Sequence, residues 1–304
     1  MSPRGSIARE AALRAALDAF LVRFDYAAAR ARDPVAFAHR YAEAADREVV
    51  ALYAALLAYG RVDLIARALE DVTARMGSAP ARAALEDSPT QARARFEGFV
   101  YRFTRGEDLA RLWLGVGAVL RVHGGLGACV AAHLSPDAPD LRPALQAFRA
   151  ALMAPTAELG PRRGLEHLAP DPSKASACKR WSLLLRWMVR GPDEVDLGLW
   201  ADLGTERLLM PIDTHIHRIS TYLGLTQRAS ADGRTAREVT DALARLDPRD
   251  PLKYDFALTH MGISGGCLRR REPTVCGACP IERLCLLDTH GRVQTHSGRR
   301  DRPR

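Results

Sequence analysis

The run HMGISGGCLRRREPTVCGACPIERLC, from His260 to Cys285, sets four cysteines at the spacing C-x8-C-x2-C-x5-C. They are Cys267, Cys276, Cys279 and Cys285. Closing such short loops costs chain entropy, and ligation of one metal centre by four thiolates offsets that cost. A zinc knuckle usually brings its ligands as two close pairs. Here a single close pair, Cys276 and Cys279, is flanked by lone cysteines at longer reach. That pattern suits the irregular loop around a cubane [4Fe–4S] cluster better than it suits zinc. Zinc and unligated thiols remain alternatives, and a disulfide is disfavoured because nothing in the chain points to secretion.

About fifty residues upstream stands MPIDTHIHRIS, Met210 to Ser220. Read together, the two stretches resemble the C-terminal half of endonuclease III and its relatives, the helix-hairpin-helix DNA glycosylases, over roughly residues 205–287. Those enzymes carry a V-D-T-H-[IV]-x-R segment followed by an H-G-x-x-x-C array ending C-x2-C-x5-C. The first cysteine gap is eight residues here against six there. Further stretches are similar to a poorly characterised bacterial group of glycosylase-like proteins. These are DREVVALYAALLAYGRVDLIARAL (46–69), KRWSLLLRWMVRG (179–191), DLGLW (196–200) and DPLKYDFAL (250–258). With them the likeness spans most of residues 20–290.

The resemblance implies an all-α, two-lobed helix-hairpin-helix glycosylase fold over residues 1–287. Its N-terminal and C-terminal segments share one lobe, the middle helices form the other, and residues 267–285 make a cluster loop. It also implies an activity: removal of a damaged base from double-stranded DNA in base-excision repair, with or without AP-lyase cleavage of the strand. The alternative is a non-catalytic nucleic-acid-binding or redox-sensing iron–sulfur protein on the same fold.

Asp213 aligns with the family's catalytic carboxylate. By position alone it reads as a helix cap, since a carboxylate before a helix satisfies free N–H groups and the dipole. As a catalytic group it would stabilise the oxocarbenium charge that develops when an N-glycosidic bond breaks, or activate the nucleophile. Lyase members of the family use a lysine amine that forms a Schiff base with the sugar. That lysine lies eighteen residues before the aspartate in endonuclease III, a spacing that falls on Val195 here. Lys179, at the head of KRWSLLLRWMVR, takes the role by likeness to a divergent archaeal branch, with Lys174 as competitor. Where the family has its glycine hairpin, the chain reads HLAPDPSKASACK (167–179) and lacks G-x-G.

Tyr59, Gly60 and Arg61 occupy the family's base-gap turn, with Asp63 matching its final acid. Tyr59 or Arg61 could stack into the gap left by an extruded base, although Tyr59 also reads as a core residue. His215 and His217 read as packing groups, Trp181, Trp187 and Trp200 as core, and Cys129 and Cys178 as small buried hydrophobes.

Composition bounds the rest. The 304 residues, 47% of them hydrophobic, suffice for one sizeable core or two modest ones. There is no run of eighteen apolar residues, and MSPRGSIARE lacks a signal-peptide core. The expectation is a monomeric, cytoplasmic, nucleoid-associated protein without a membrane partner. Net charge is +8, and residues 267–304 hold nine arginines against four acids. Arg269, Arg270 and Arg271, with a basic, disordered tail over 288–304, read as a phosphate footprint.

Alanine, leucine and arginine at three- and four-residue spacing predict helices over 7–24, 46–76, 83–98, 107–133, 141–153, 175–190, 196–203, 214–223, 235–246 and 252–261. Asp46 reads as a helix start, and Thr235 with Glu238 as a capping box.

Overall fold

The computed structural model describes residues 3–264 and 266–294. The chain is predominantly helical, as its composition predicts, with one short antiparallel hairpin. It divides into two compact units, one of Met1–Asp25 with Leu209–Arg304 and one of Tyr26–Leu208. Of the tail expected over 288–304, the part from residue 295 on lies outside the described residues.

The first unit opens with α1 (Pro3–Arg23), and the chain then enters the second unit through α2 (Tyr26–Arg30). The centre of that second unit is α3 (Ala44–Leu57), whose run from Val49 to Leu57 is wholly buried. An apolar stretch without a polar face can sit only inside a ring of neighbours. The unit's other helices are α4 (Val62–Met76), α5 (Pro80–Glu86), α6 (Pro89–Phe96), α7 (Gly106–His123), α8 (Leu126–Ala132), α9 (Arg142–Met153), α10 (Arg163–Leu168) and α11 (Lys179–Val189), of which α4, α5, α8 and α11 pack on α3 while α9 and α10 pack on α7.

Two buried acids on α3 serve other helices. Asp46 accepts from the Ala81 N–H at 2.8 Å, at the head of α5. Glu48 accepts from Leu126 N–H at 2.7 Å, from Gly127 N–H at 3.3 Å and from the Trp200 indole at 2.5 Å. Each supplies from a distance the acceptor that a short helix lacks at its own N-terminus. Asp46 therefore does not start its own helix: α3 begins at Ala44, two residues earlier.

Three predicted helices are broken. The span 46–76 splits at Ala58–Arg61, where Gly60 has φ +105° and a Cβ would lie 2.9 Å from the Tyr101 hydroxyl. The span 83–98 splits at Ser88, which forms a capping box with Gln91 ahead of Pro89 at the first turn of α6. The span 107–133 splits at Gly124, in the left-handed region. Periodic apolar spacing runs across all three breaks and so conceals them. No single helix among the described residues is long and apolar enough to cross a membrane; α7 and α8 reach that length only as a pair bent by 66°.

The predicted helix 196–203 is instead a returning strap with one 3₁₀ turn at Ala201–Leu203. Gly198 takes φ +64°, Leu197 N–H donates to Trp187 O at 2.6 Å, and Trp200 N–H to Met188 O at 2.7 Å. Asp196, fully buried, ion-pairs with Arg186 at 3.0 Å and with Arg190. Those bonds to the end of α11 replace the ones a helix would make.

Between α6 and α7 the chain forms β1 (Val100–Tyr101) and β2 (Thr104–Arg105), registered Val100 opposite Arg105 and Tyr101 opposite Thr104.

The first unit resumes with α12 (Thr214–Tyr222), α13 (Gly233–Ala244), α14 (Asp255–Ile263) and the single turn α15 (Pro273–Cys276). The cap of α13 is Asp232, which accepts from Thr235 N–H at 2.9 Å; Thr235 is buried inside the helix and does not cap it. Lys253, just before α14, reaches Asp18 of α1 at 2.9 Å and Asp247 at 3.0 Å. Arg9 of α1 donates at 3.0 Å to both Leu223 O and Leu284 O.

Candidate active site and thiol pocket

Asp213 precedes α12 in extended conformation, and its Oδ1 accepts from His215 N–H and Ile216 N–H, both at 2.8 Å. The cap legible in the sequence is therefore present. Three further bonds hold the segment. Met210 N–H donates to Thr240 Oγ1 at 2.9 Å, His215 Nδ1 lies 3.0 Å from Gly262 O, and His217 Nε2 lies 2.8 Å from Arg228 O. Both histidines are used in packing. Gly262 allows this closeness, since a Cβ there would sit 3.0 Å from that of His215. Arg218, which was not singled out in the sequence, turns one nitrogen to His215 Nδ1 at 3.3 Å, and its Nε is buried without a hydrogen-bond partner. Its place one turn after His215 is the signal that could have marked it.

The opposite end of α12 meets the cysteines. Cys267, Cys276, Cys279 and Cys285 line one pocket, closed on its apolar side by Ile219 and Tyr222 of α12. Leu286 N–H donates to Tyr222 O at 2.7 Å and so fixes the end of the loop to the helix. Within the loop, Cys276 Sγ accepts from Glu272 N–H at 3.3 Å. Burial pushes the Cys279 and Cys285 thiols up, and the neighbouring thiols add to the shift. All six cysteines are free, and among the described residues no three His, Cys, Asp or Glu side chains group closely enough to hold a single metal ion. As a donor set, four sulfurs around one partly apolar pocket suit a thiolate-held centre, whose binding would work against the burial that pushes the Cys279 and Cys285 thiols up.

The three loop arginines differ. Arg269, with φ +64°, and Arg270 are exposed, and Arg270 lies 3.7 Å from Glu272. Arg271 is spent inside the loop on Glu282 at 2.7 Å, while its N–H holds Asp288 O at 3.1 Å.

The remaining candidates belong to the second unit. Lys179 is the first residue of α11, half-buried, behind Cys178 at φ +47°. The four residues before it, predicted as helix, are not helical, and ahead of them a turn is organised by Asp171, which accepts from Ser173 N–H at 2.9 Å and from its hydroxyl at 2.8 Å. Lys174 stands exposed on that turn. Trp181, Trp187 and Trp200, and likewise Cys129 and Cys178, are buried as predicted.

Tyr59 is half-buried. Its hydroxyl donates to Tyr101 O at 3.2 Å and lies 2.8 Å from Thr104 Oγ1, and the Arg180 guanidinium lies 5.0 Å from its ring centre. Burial pushes both phenols up, Tyr101 to about 12. Arg61 is exposed and pairs with Asp63 at 3.1 Å.

No curated protein and no solved structure matches the chain. A family model does match, over residues 33–264, a span that takes in α3, the loop before α11 and the Asp213 helix and stops before the cysteine array. On that match, which covers most of its length, the chain belongs to the family described as "Protein of unknown function (DUF2400)".

Proposed function

We propose that this protein is a DNA glycosylase of the helix-hairpin-helix type, acting on a damaged base in double-stranded DNA and holding a [4Fe–4S] cluster on Cys267, Cys276, Cys279 and Cys285. One observation carries the reading. A single nine-residue helix bears Asp213 at its N-terminus and walls the four-thiol pocket with Ile219 and Tyr222. The two sequence signals that prompted the resemblance are thus joined by one short element.

The spacing of the four thiols, one close pair flanked by single cysteines at longer reach, favours a cluster over zinc. A cluster bound there would lock the loop onto α12 and α14, since ligation energy is folding energy. In this reading Asp213 faces the charge that develops on the sugar, and Lys179 supplies the amine if the strand is also cleaved.

A second reading is favoured by the cap itself. Two N–H bonds account for Asp213 without any chemistry, so a nucleic-acid-binding protein that has lost catalysis would look the same at this residue. Base release and borohydride trapping on lesion-bearing duplexes separate the two. Release that disappears in Asp213→Asn supports the enzyme; cluster-replete protein inert on every lesion supports the binder.

A further inference from the structure

We propose that the tip of the β1–β2 hairpin is a docking surface for single-stranded nucleic acid, on which the Phe103 ring stacks an unpaired base and the Arg102 and Arg105 guanidinia take flanking phosphates. The inference rests on the nucleic-acid half of the function proposed above and not on its chemistry.

Phe103 is the large apolar residue of the tip, and 57% of its surface is exposed. A flexible loop could fold such a ring away, but this one is backed. His167 lies 4.8 Å behind it and Tyr59 a further 4.8 Å behind His167. Tyr59 is in turn tied to Tyr101 O and Thr104 on the two strands, and the Tyr101 hydroxyl donates back to Tyr59 O. The ring is therefore held from behind by a tilted contact with His167, itself edge-on to Tyr59, and more than half of it stays exposed.

The surroundings are cationic. Arg102 lies 5.9 Å from the Phe103 ring centre and reaches over Gly60, and Arg105 donates to Arg102 O at 2.7 Å. Arg180 sits beneath, on the inner side of Tyr59. Burial, with Arg180 and Arg102 close by, holds His167 below the usual imidazole range. The nearby carboxylates are already engaged: Asp63 by Arg61 and Asp108 by Arg162 at 2.7 Å. An exposed ring framed by guanidinia matches a base with its phosphates, because bases stack on aromatic faces while the backbone follows positive charge. Only an unpaired base offers a free face, which selects the single strand.

The test is fluorescence anisotropy with full-length protein and a labelled, lesion-free oligothymidine of about twelve nucleotides, alongside a lesion-free duplex. Phe103→Ser should weaken single-strand binding about tenfold and leave the duplex nearly unaffected. Arg102 has φ +50°, so Arg102→Gly removes the guanidinium while easing the backbone. It should retain thermal stability and lower the slope of log affinity against log salt by about 0.7. Unchanged single-strand affinity in Phe103→Ser overturns the proposal. So does a parent protein that does not bind the single strand, which would leave this surface to a protein partner. Because the strands carry no lesion, a failure of glycosylase chemistry leaves the result readable.

Discussion

Lys253 holds Asp18 and Asp247 at once, at 2.9 and 3.0 Å, and so joins α1 to the segment before α14 across more than two hundred residues of sequence. The Tyr254 hydroxyl adds a third bond to Asp18 at 2.9 Å. Lys253→Met leaves two carboxylates facing each other without their cation. With Asp18 two-fifths exposed and the pairs partly screened, it should cost about 1–2 kcal/mol, read by denaturant unfolding.

The same knot sets an acid dependence. Burial works against the charge on Asp18 and on Asp247, but the Lys253 bonds outweigh it and hold both carboxyls below the usual range. A depressed folded value stabilises above the unfolded one, so the contribution is complete above about pH 5 and fades as pH falls through the folded values. Lys253→Met should flatten stability against pH between about 2 and 5. A parent-like acid slope in the variant would show that other carboxylates set it.

Gly60 is required twice, by its φ of +105° and by the Tyr101 hydroxyl where a Cβ would go. Gly60→Ala should lower stability by about 1–3 kcal/mol. Gly77, also at positive φ but with open space around it, is the control and should lose less on the same change.

Asp213 separates capping from chemistry. Asn caps as well as Asp, so Asp213→Asn should keep stability within about 0.5 kcal/mol, while Asp213→Ala should lose about 1 kcal/mol. If the carboxylate acts on the glycosidic bond, both variants lose base release and keep duplex affinity. Lys179→Gln should remove the borohydride-trapped adduct; an adduct that survives it and vanishes in Lys174→Gln would assign the amine to Lys174.

Protein purified without oxygen should be brown and carry about four irons per chain. Cys276→Ser or Cys279→Ser should bleach it and destabilise the first unit. One zinc and no colour would replace the cluster and leave the fold as described. Reversing the two exposed loop arginines, Arg269 and Arg270, should reduce the salt slope of duplex binding by roughly two.

The helical class was legible because alanine, leucine and arginine dominate at helical spacing, and α9 and α12 fall within a residue or so of their predicted bounds. The cap at Asp213 was legible too, since a cap is a relation between neighbours. What sequence reading missed depends on partners far along the chain. Asp46 looked like a helix start because its acceptor role is spent on Ala81, thirty-five residues away. The strap at 196–203 looked helical because nothing in DLGLW announces that Asp196 is drawn into the core by Arg186 and Arg190. The bond from Tyr59 to the hairpin spans forty-two residues. Only the fold reveals that Phe103 rests against His167, which in turn rests against Tyr59.

The placement of Asp46 and Glu48 bears on the order in which the second unit assembles. Seven-residue helices such as α5 and α8 do not persist alone in water, because nucleation costs more than so few bonds return. Their N-terminal acceptors are carried by α3, so each becomes stable only once α3 is in place to receive it. In native-state amide exchange, α5 and α8 should open at lower free energy than α3. On folding, their protection should arrive after that of α3, making the central helix a template on which its neighbours are completed.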